Sequence, residues 1–357
     1  MSIEMNRRNL LLSGGATLIA AAVAACSSGS SSGSAGTSSG SVTAKSLLPL
    51  RIPDPGNSGV LAVGKKDGSL AKALAAAGAQ AVWTGTSGPF APAALEIDAN
   101  ELDVAQGSIT SAVTSLAAVA DFKLFAQIEP DGYGEGVLVR QDSPAKTIRD
   151  LVGKKVAVNK GGTGEYLLLK ALSSAGIPAS SVTRVYLNPA ETAPVFAAGQ
   201  VDAWATWATY SVAAVAQGAR FVAQAHQFGS QNYSAWAVRS ALATQHPQVV
   251  AAFYQYLHST TIREIANPAA YVNVFTNAGP QALNSAEITV NDDFSSKGST
   301  VNPVGASQVA AFNTVAAFFA AQQVTTKTVD VAPYIVAPSA LGGSLWRPGH
   351  SPPTRGW

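Results

Sequence analysis

Five short segments, at 54–59, 84–88, 107–111, 131–134 and 159–164, gather glycine with small hydroxyl and amide side chains. Such residues suit the capture of an anion. Glycine lets the backbone come close to a ligand, hydroxyls donate hydrogen bonds, and the N–H groups that open a helix sit at the positive end of its dipole. Three of the segments lead directly into helix-compatible sequence. The sharpest is Lys160-Gly161-Gly162-Thr163, where Gly162 offers close approach, Thr163 both caps and donates, and Lys160 adds positive charge. The other segments contribute Asn57 and Ser58, Thr86 and Ser87, Ser108 and Thr110, and Gly132 with Tyr133 as candidate ligand contacts. Trp204, Trp207 and Tyr210 follow at i, i+3 and i+6. Trp207 and Tyr210 fall where a strand passes into a helix, so they serve either as core or as a wall that shelters a ligand's tail. Each loop alone is equally well explained by turn and N-cap chemistry. Five opening at the same strand ends point to binding.

Catalytic constellations are absent from the same sequence. Gly29-Ser30-Ser31-Ser32-Gly33 has the spacing of a nucleophile elbow but lies in a Ser/Gly tract with no strand or helix around it. Gly59 to Lys66 has a P-loop spacing, yet Lys66 replaces the hydroxyl that would hold magnesium and the intervening residues are apolar. Gly162-Thr163-Gly164 lacks the third glycine of a dinucleotide fingerprint. The close carboxylates, Glu96/Asp98, Glu129/Asp131 and Asp292/Asp293, read as solvated or capping groups. Histidines stand at 226, 246, 258 and 350, none at helical spacing from another, and there is one cysteine. No catalytic residue, metal or cofactor is expected.

The whole chain has 357 residues, 47% of them hydrophobic and 12% charged, with a formal charge of +2. A near-neutral balance gives no electrostatic footprint for nucleic acid. The single cysteine excludes an internal disulfide. Arg7 and Arg8 precede an apolar stretch that ends Val23-Ala24-Ala25-Cys26, so residues 1–25 read as a lipoprotein signal with Cys26 as the lipidation site. The paired arginines also suit twin-arginine export. Residues 26–44 form a Ser/Gly tether, too poor in apolar surface to fold.

The body that follows alternates short apolar runs with helical segments. Strands are expected near 47–52, 79–84, 103–106, 122–128, 136–140, 155–159, 182–187, 201–204, 220–225 and 234–238. The helical segments between them fall at 60–77, 90–100, 110–118, 148–152, 162–175, 190–198 and 210–217. After residue 246 the chain turns helical, at 247–266, 268–277, 281–284 and 307–322. This alternation predicts an α/β fold with parallel sheets and right-handed crossovers, in two lobes. Ligands in open α/β sheets bind beyond the carboxyl ends of strands, here the cleft between the lobes.

Several blocks in order carry a resemblance. They are 137–144 (VLVRQDSP), 148–158 (IRDLVGKKVAV), 160–169 (KGGTGEYLLL), 187–190 (LNPA) and 196–204 (FAAGQVDAW). From about residue 47 to 270 the chain resembles the solute-binding proteins of ABC importers for aliphatic sulfonates, taurine and nitrate. The resemblance implies a two-lobed clamp of the periplasmic-binding-protein type II, with a helical C-terminal part packed on lobe 1. It places lobe 1 at 45–135 plus 239–345, lobe 2 at 136–238, hinge segments near 134–139 and 233–238, and a loose tail at 346–357. It further implies a monomer, lipid-anchored outside the cytoplasm, that captures a small organic anion and delivers it to a membrane permease. An aliphatic or aryl sulfonate is the first expectation, with nitrate or an uncharged heterocycle such as a thiamine-precursor pyrimidine as the alternative. Desulfinases share the clamp but need a cleft cysteine, and Cys26 is the only cysteine. The family's acidic residue after the second tryptophan is missing, since Trp207 is followed by Ala208; this slightly disfavours taurine.

Overall fold

Leu50 and Ile52 are fully buried on β1 (Leu48–Pro53), which pairs in parallel with β2 (Ala79–Thr84). The computed structural model describes residues 46–85, 90–118, 121–130 and 132–342. The signal, Cys26, the tether, Thr86, Ser87 and the 346–357 tail therefore lie outside the described residues. The single helix expected at 60–77 is two, α1 (Gly59–Asp67) and α2 (Ser69–Ala76). Gly68 separates them at φ 74, a left-handed conformation that ends a helix and costs glycine little.

Three more elements, α3 (Phe90–Asp98), β3 (Val104–Ser108) and α4 (Ile109–Ala118), lead to β4 (Phe122–Ile128). From β4 the chain crosses at 129–134 to a second sheet. There β5 (Glu135–Val139), β6 (Lys155–Val158), α5 (Thr163–Ser174), β7 (Thr183–Tyr186), α6 (Pro189–Ala197), β8 (Ala203–Trp207), α7 (Ala208–Ala216) and β9 (Arg220–Gln224) follow in turn. A second crossing at 225–233 returns to β10 (Ser234–Arg239) in the first sheet. Then come α8 (Ser240–Gln245), α9 (Pro247–Ala266), α10 (Ser285–Ser295), β11 (Asn302–Pro303) and α11 (Ala306–Ala321). No described helix is long and apolar enough to cross a membrane.

Of the three sheets only β1-β2 is wholly parallel, which corrects the expectation of parallel sheets. Of the remaining two, one has the order β11-β4-β10-β3 with antiparallel pairs, and the other β7-β6-β8-β5-β9. In the second sheet β6 runs parallel to β7 and β8, whereas β5 runs antiparallel to β8 and β9. The reason lies in the crossings: β5 and β10 are the strands that receive the chain from the other sheet, and both are set antiparallel to their neighbours. The segments read as hinges are thus ladder strands, and the connections precede them.

The C-terminal helices supply core. Phe312, Val315 and Phe319 of α11 are fully buried in one cluster with Ile109, Val113 and Phe122, and Tyr166 of α5 joins it. Tyr166 meets Phe318 and Phe319 edge-on at 5.6 and 5.9 Å. The α9 face bearing Val250, Phe253 and Leu257 closes over Leu50, Leu70 and Trp236. A buried carboxylate joins three of the strands. Asp103, with its side chain 1% exposed, receives Arg51 at 2.8 Å and Arg239 at 2.9 Å, tying β1, β3 and β10 together.

Candidate functional site

The ends of β3 and β8 and both crossings surround a cleft of about 310 Å³. Three helices start on its wall: α4 directly after Ser108, α5 at Thr163, and α7 at Ala208 and Thr209. The first N–H groups of a helix have no partner within it, and the dipole there favours negative charge. No side chain caps α7, which leaves its first turn to whatever occupies the cleft. Ala208 holds φ 49, an uncommon value for a residue with a Cβ, which persists only where its surroundings enforce it. The Ser211 hydroxyl lies 2.7 and 2.5 Å from the carbonyl oxygens of Ala208 and Gly134 and shares its one proton between them, tying the start of α7 to the first crossing.

A chain of hydroxyls and amides crosses the cleft from one sheet to the other. The Ser108 hydroxyl lies 2.8 Å from that of Thr110 and 3.2 Å from that of Ser111. Thr110 donates to Asn232 Oδ1 at 3.1 Å, and Asn232 Nδ2 donates to Glu135 Oε2 at 2.7 Å, with Thr163 Oγ1 at 3.5 Å. Ser230 adds a bond to the other Glu135 oxygen at 3.3 Å. The antiparallel register sets Glu135 opposite Trp207, so a carboxylate and an indole share one end of the cleft.

Behind Thr163 the 160–162 loop is held from below. The Glu165 carboxylate, 2% exposed, accepts from the Gly161 N–H at 2.7 Å, from Arg184 at 2.9 Å and from the Tyr186 hydroxyl at 2.7 Å. From above, Thr114 of α4 donates to the Gly161 carbonyl at 2.7 Å. A Cβ at Gly162 would lie 2.0 Å from Asn159 Nδ2 of its own loop and 3.0 Å from Ser111 Oγ of α4, so a larger residue there would have to displace the Asn159 amide.

Of the sequence candidates, the structure brings Ser108, Gly132, Thr163 and Trp207 to the cleft wall. Thr110, fully buried, orients Ser108 and Asn232 from behind, and Gly162 lies buried against α4. The other candidates among the described residues lie off that wall. Asn57 accepts from the Phe275 and Thr276 N–H groups and donates to the Thr276 and Gln281 carbonyls, so its amide is spent on the 273–281 loop. Ser58 sits at the start of α1, outside the cleft lining. Lys160 is exposed, with its ammonium 5.8 Å over the Tyr186 ring rather than in the cleft. Tyr133 stacks on His226 at 4.4 Å between two cleft-lining glycines. Tyr210 lines a different cavity. Asn57→Ala is accordingly expected to lower stability by about 1–3 kcal/mol, the cost of stranding buried backbone groups, and to leave ligand affinity unchanged. Urea unfolding and a binding titration on the same variant check it.

Sequence reasoning missed Glu135, Thr209, Asn232 and Ser234, and with them Asn291, Phe294 and Ser295 of α10. Helix α10 was not expected at all, because it is polar and has no apolar stripe. Its start was nevertheless legible: Asn284 accepts from the Ala286 and Glu287 N–H groups, and Glu287 returns a bond to the Asn284 N–H.

Residues 97–271 match the NMT1/THI5-like family. A protein of Escherichia coli (strain K12) named for binding aliphatic sulfonates is 37% identical over 131 residues, 36% of this chain and 41% of that one. A similarly named protein of Bacillus subtilis (strain 168) is 28% identical over 229 residues, 64% of this chain and 68% of that one. The chain thus spans from about two-fifths to about two-thirds of the length of these relatives. Among solved structures, the alkanesulfonate-binding protein SsuA from Xanthomonas axonopodis pv. citri bound to MOPS superposes with a TM-score of 0.72 at 26% identity, covering 80% of this chain and 97% of that one. The desulfurization enzyme DSZB, at 18% identity and a TM-score of 0.58 over 82% of this chain and 97% of that one, shares the fold. With its α/β architecture and these neighbours, the protein has the periplasmic-binding-protein fold, and its residues 97–271 are similar to the NMT1/THI5-like family.

Proposed function

We propose that the protein is an extracytoplasmic solute-binding component of an ABC importer, and that its cleft captures a sulfonate. The observation that carries this reading is the meeting of three helix starts with the Ser108–Asn232–Thr163 array on one cleft wall. A sulfonate stays ionised at any growth pH, so neutral N–H and O–H donors suffice to hold it. The names of the relatives support the substrate class. Lobe 1 comprises 45–135 and 239–345 and lobe 2 136–238, and they close on the ligand by a shift between open and closed populations. The mature chain is a monomer that starts at a lipid-bearing Cys26, stands off the membrane on its tether, and hands its ligand to a permease. It lacks the cleft cysteine that a desulfinase needs, since the one cysteine is spent on the lipid.

Glu129 and Glu135 favour a second reading of the ligand. A purely anionic ligand gains nothing from carboxylates in its cleft, whereas a sulfonate with a cationic nitrogen pairs with both ends. MOPS is such a compound, and taurine is another. Glu135 supplies the negative charge that Ala208 lacks, which removes the sequence argument against taurine.

A thermal-shift panel of ethanesulfonate, taurine, MOPS, nitrate and an aminopyrimidine tests both readings. A true ligand at 100 times its Kd stabilises by about 2.7 kcal/mol. Thr163→Val, which keeps shape and loses the donor, should weaken a sulfonate by about tenfold. Glu135→Gln should weaken taurine or MOPS and spare ethanesulfonate. If only the aminopyrimidine binds, the sulfonate reading fails.

A further inference from the structure

Helices α6 and α7 both pack on β8, with Phe196, Trp204 and Ala214 in one apolar cluster. Between them lies a second cavity of about 410 Å³, larger than the cleft, and no residue lines both. Its volume falls within the range of small-molecule sites. The apolar wall is aromatic: Phe196 and Trp204 lie with ring centres 5.7 Å apart, and Trp204 and Tyr210 6.3 Å apart. Facing these rings are methyl groups. Ala193 and Ala197 stand one turn apart on α6, with Ala213 across from them on α7, where leucine side chains would fill the space. Ala193 and Ala197 are exposed, so this side of the cavity faces water, and an apolar occupant would remove the methyl and ring surface from it.

The mouth is polar and balanced in charge. Arg140 donates to the Val201 carbonyl at 2.9 Å and lies 3.5 Å from Asp142, so its charge is already answered. The Gln141 and Gln217 amides complete the rim. An ionic occupant finds no uncompensated partner there, and a neutral one with a single hydroxyl or N–H finds both donors and acceptors. Flat aromatic molecules complement ring walls through offset and edge contacts, a geometry that aliphatic chains do not exploit. We propose that this pocket is a second binding site, for an uncharged planar aromatic compound of one or two rings, separate from the sulfonate cleft.

The test is calorimetric titration of the protein with 2-naphthol. The expected result is saturable one-to-one binding that weakens by about tenfold or more, about 1.4 kcal/mol, in Ala213→Leu and in Ala197→Leu. Ala197 is exposed, so its variant folds even if Ala213→Leu does not. Absence of saturable binding overturns the proposal, as does binding that both variants leave intact. A concentration-dependent dimer that Ala197→Leu abolishes would assign the pocket to a second copy of the chain and equally overturn it. None of these outcomes depends on whether the cleft takes a sulfonate.

Discussion

Asp103→Ala is expected to lower the unfolding free energy by about 3 kcal/mol, near the low end of the range for breaking a buried ion pair. The carboxylate has almost no water of its own, and both of its guanidinium partners rest on it. One oxygen accepts the Arg51 N–H and Nε, each at 2.9 Å, and the other accepts Arg51 Nη2 at 2.8 Å and Arg239 Nε at 2.9 Å. Removal strands two charges on strands β1 and β10. The loss stays near the low end because both arginine side chains keep 23% exposure and can draw water. The pH dependence has a definite sign. Burial alone would raise the Asp103 carboxyl, but the bonds from Arg51 and Arg239 outweigh it, and the pKa is lowered below 3.8. Its contribution is therefore complete above the unfolded-state value of about 3.9 and lost as pH falls through the lowered folded value. Urea unfolding of wild type and variant at pH 7 and again below pH 4 checks this. The gap should narrow in acid; a gap that widens there, or an unchanged midpoint at pH 7, refutes the assignment.

Residues 247–266 were read as a helix and are α9, because Pro247 opens it and a long apolar face runs through it. Strands β1 to β10 were placed within two or three residues, since short apolar runs between turns allow little else, whereas the two-residue β11 was missed. Their directions were not legible: β5 and β10 look like their neighbours in composition, and only the crossings of the chain set them antiparallel. The same limit governs the site. Ser108 and Thr163 were legible because each stands at the join of a strand or loop with a helix. Lys160 stands in the same loop three residues before Thr163, yet its chain folds back over Tyr186. Which side of a loop a residue faces depends on what lies beneath it. Glu135 and Asn232 come from the two crossings, 97 residues apart, and nothing local announces that they meet.

Glu165→Ala is expected to weaken sulfonate binding by about 10–100-fold, although the residue does not line the cleft. The argument starts at Gly161, whose φ of 65 turns the loop so that its N–H points down and its carbonyl up. The N–H goes to Glu165, and the carbonyl takes the Thr114 hydroxyl of α4. Glu165 is thus the fixed end of a path that runs from the second sheet through the loop to the first. Arg184 and Tyr186 hold the carboxylate in place, and burial together with the Glu165 bond raises the Tyr186 pKa, keeping that hydroxyl a donor. Without the carboxylate, Gly161 has no acceptor in the folded but empty protein, and the loop samples conformations in which Thr163 and the start of α5 are misplaced. Ligand binding must then restore the order. A hydrogen bond to a charged group contributes about 1.5–3 kcal/mol, which is the 10–100-fold stated. Glu165→Gln keeps one acceptor for Gly161 but turns its NH2 toward Arg184 and Tyr186, so it should recover only part of the affinity. Kd and melting temperature are measured together on both variants. If Glu165→Ala lowers the melting temperature while the Kd of the best sulfonate is unchanged, the residue supports the fold alone and does not position the site.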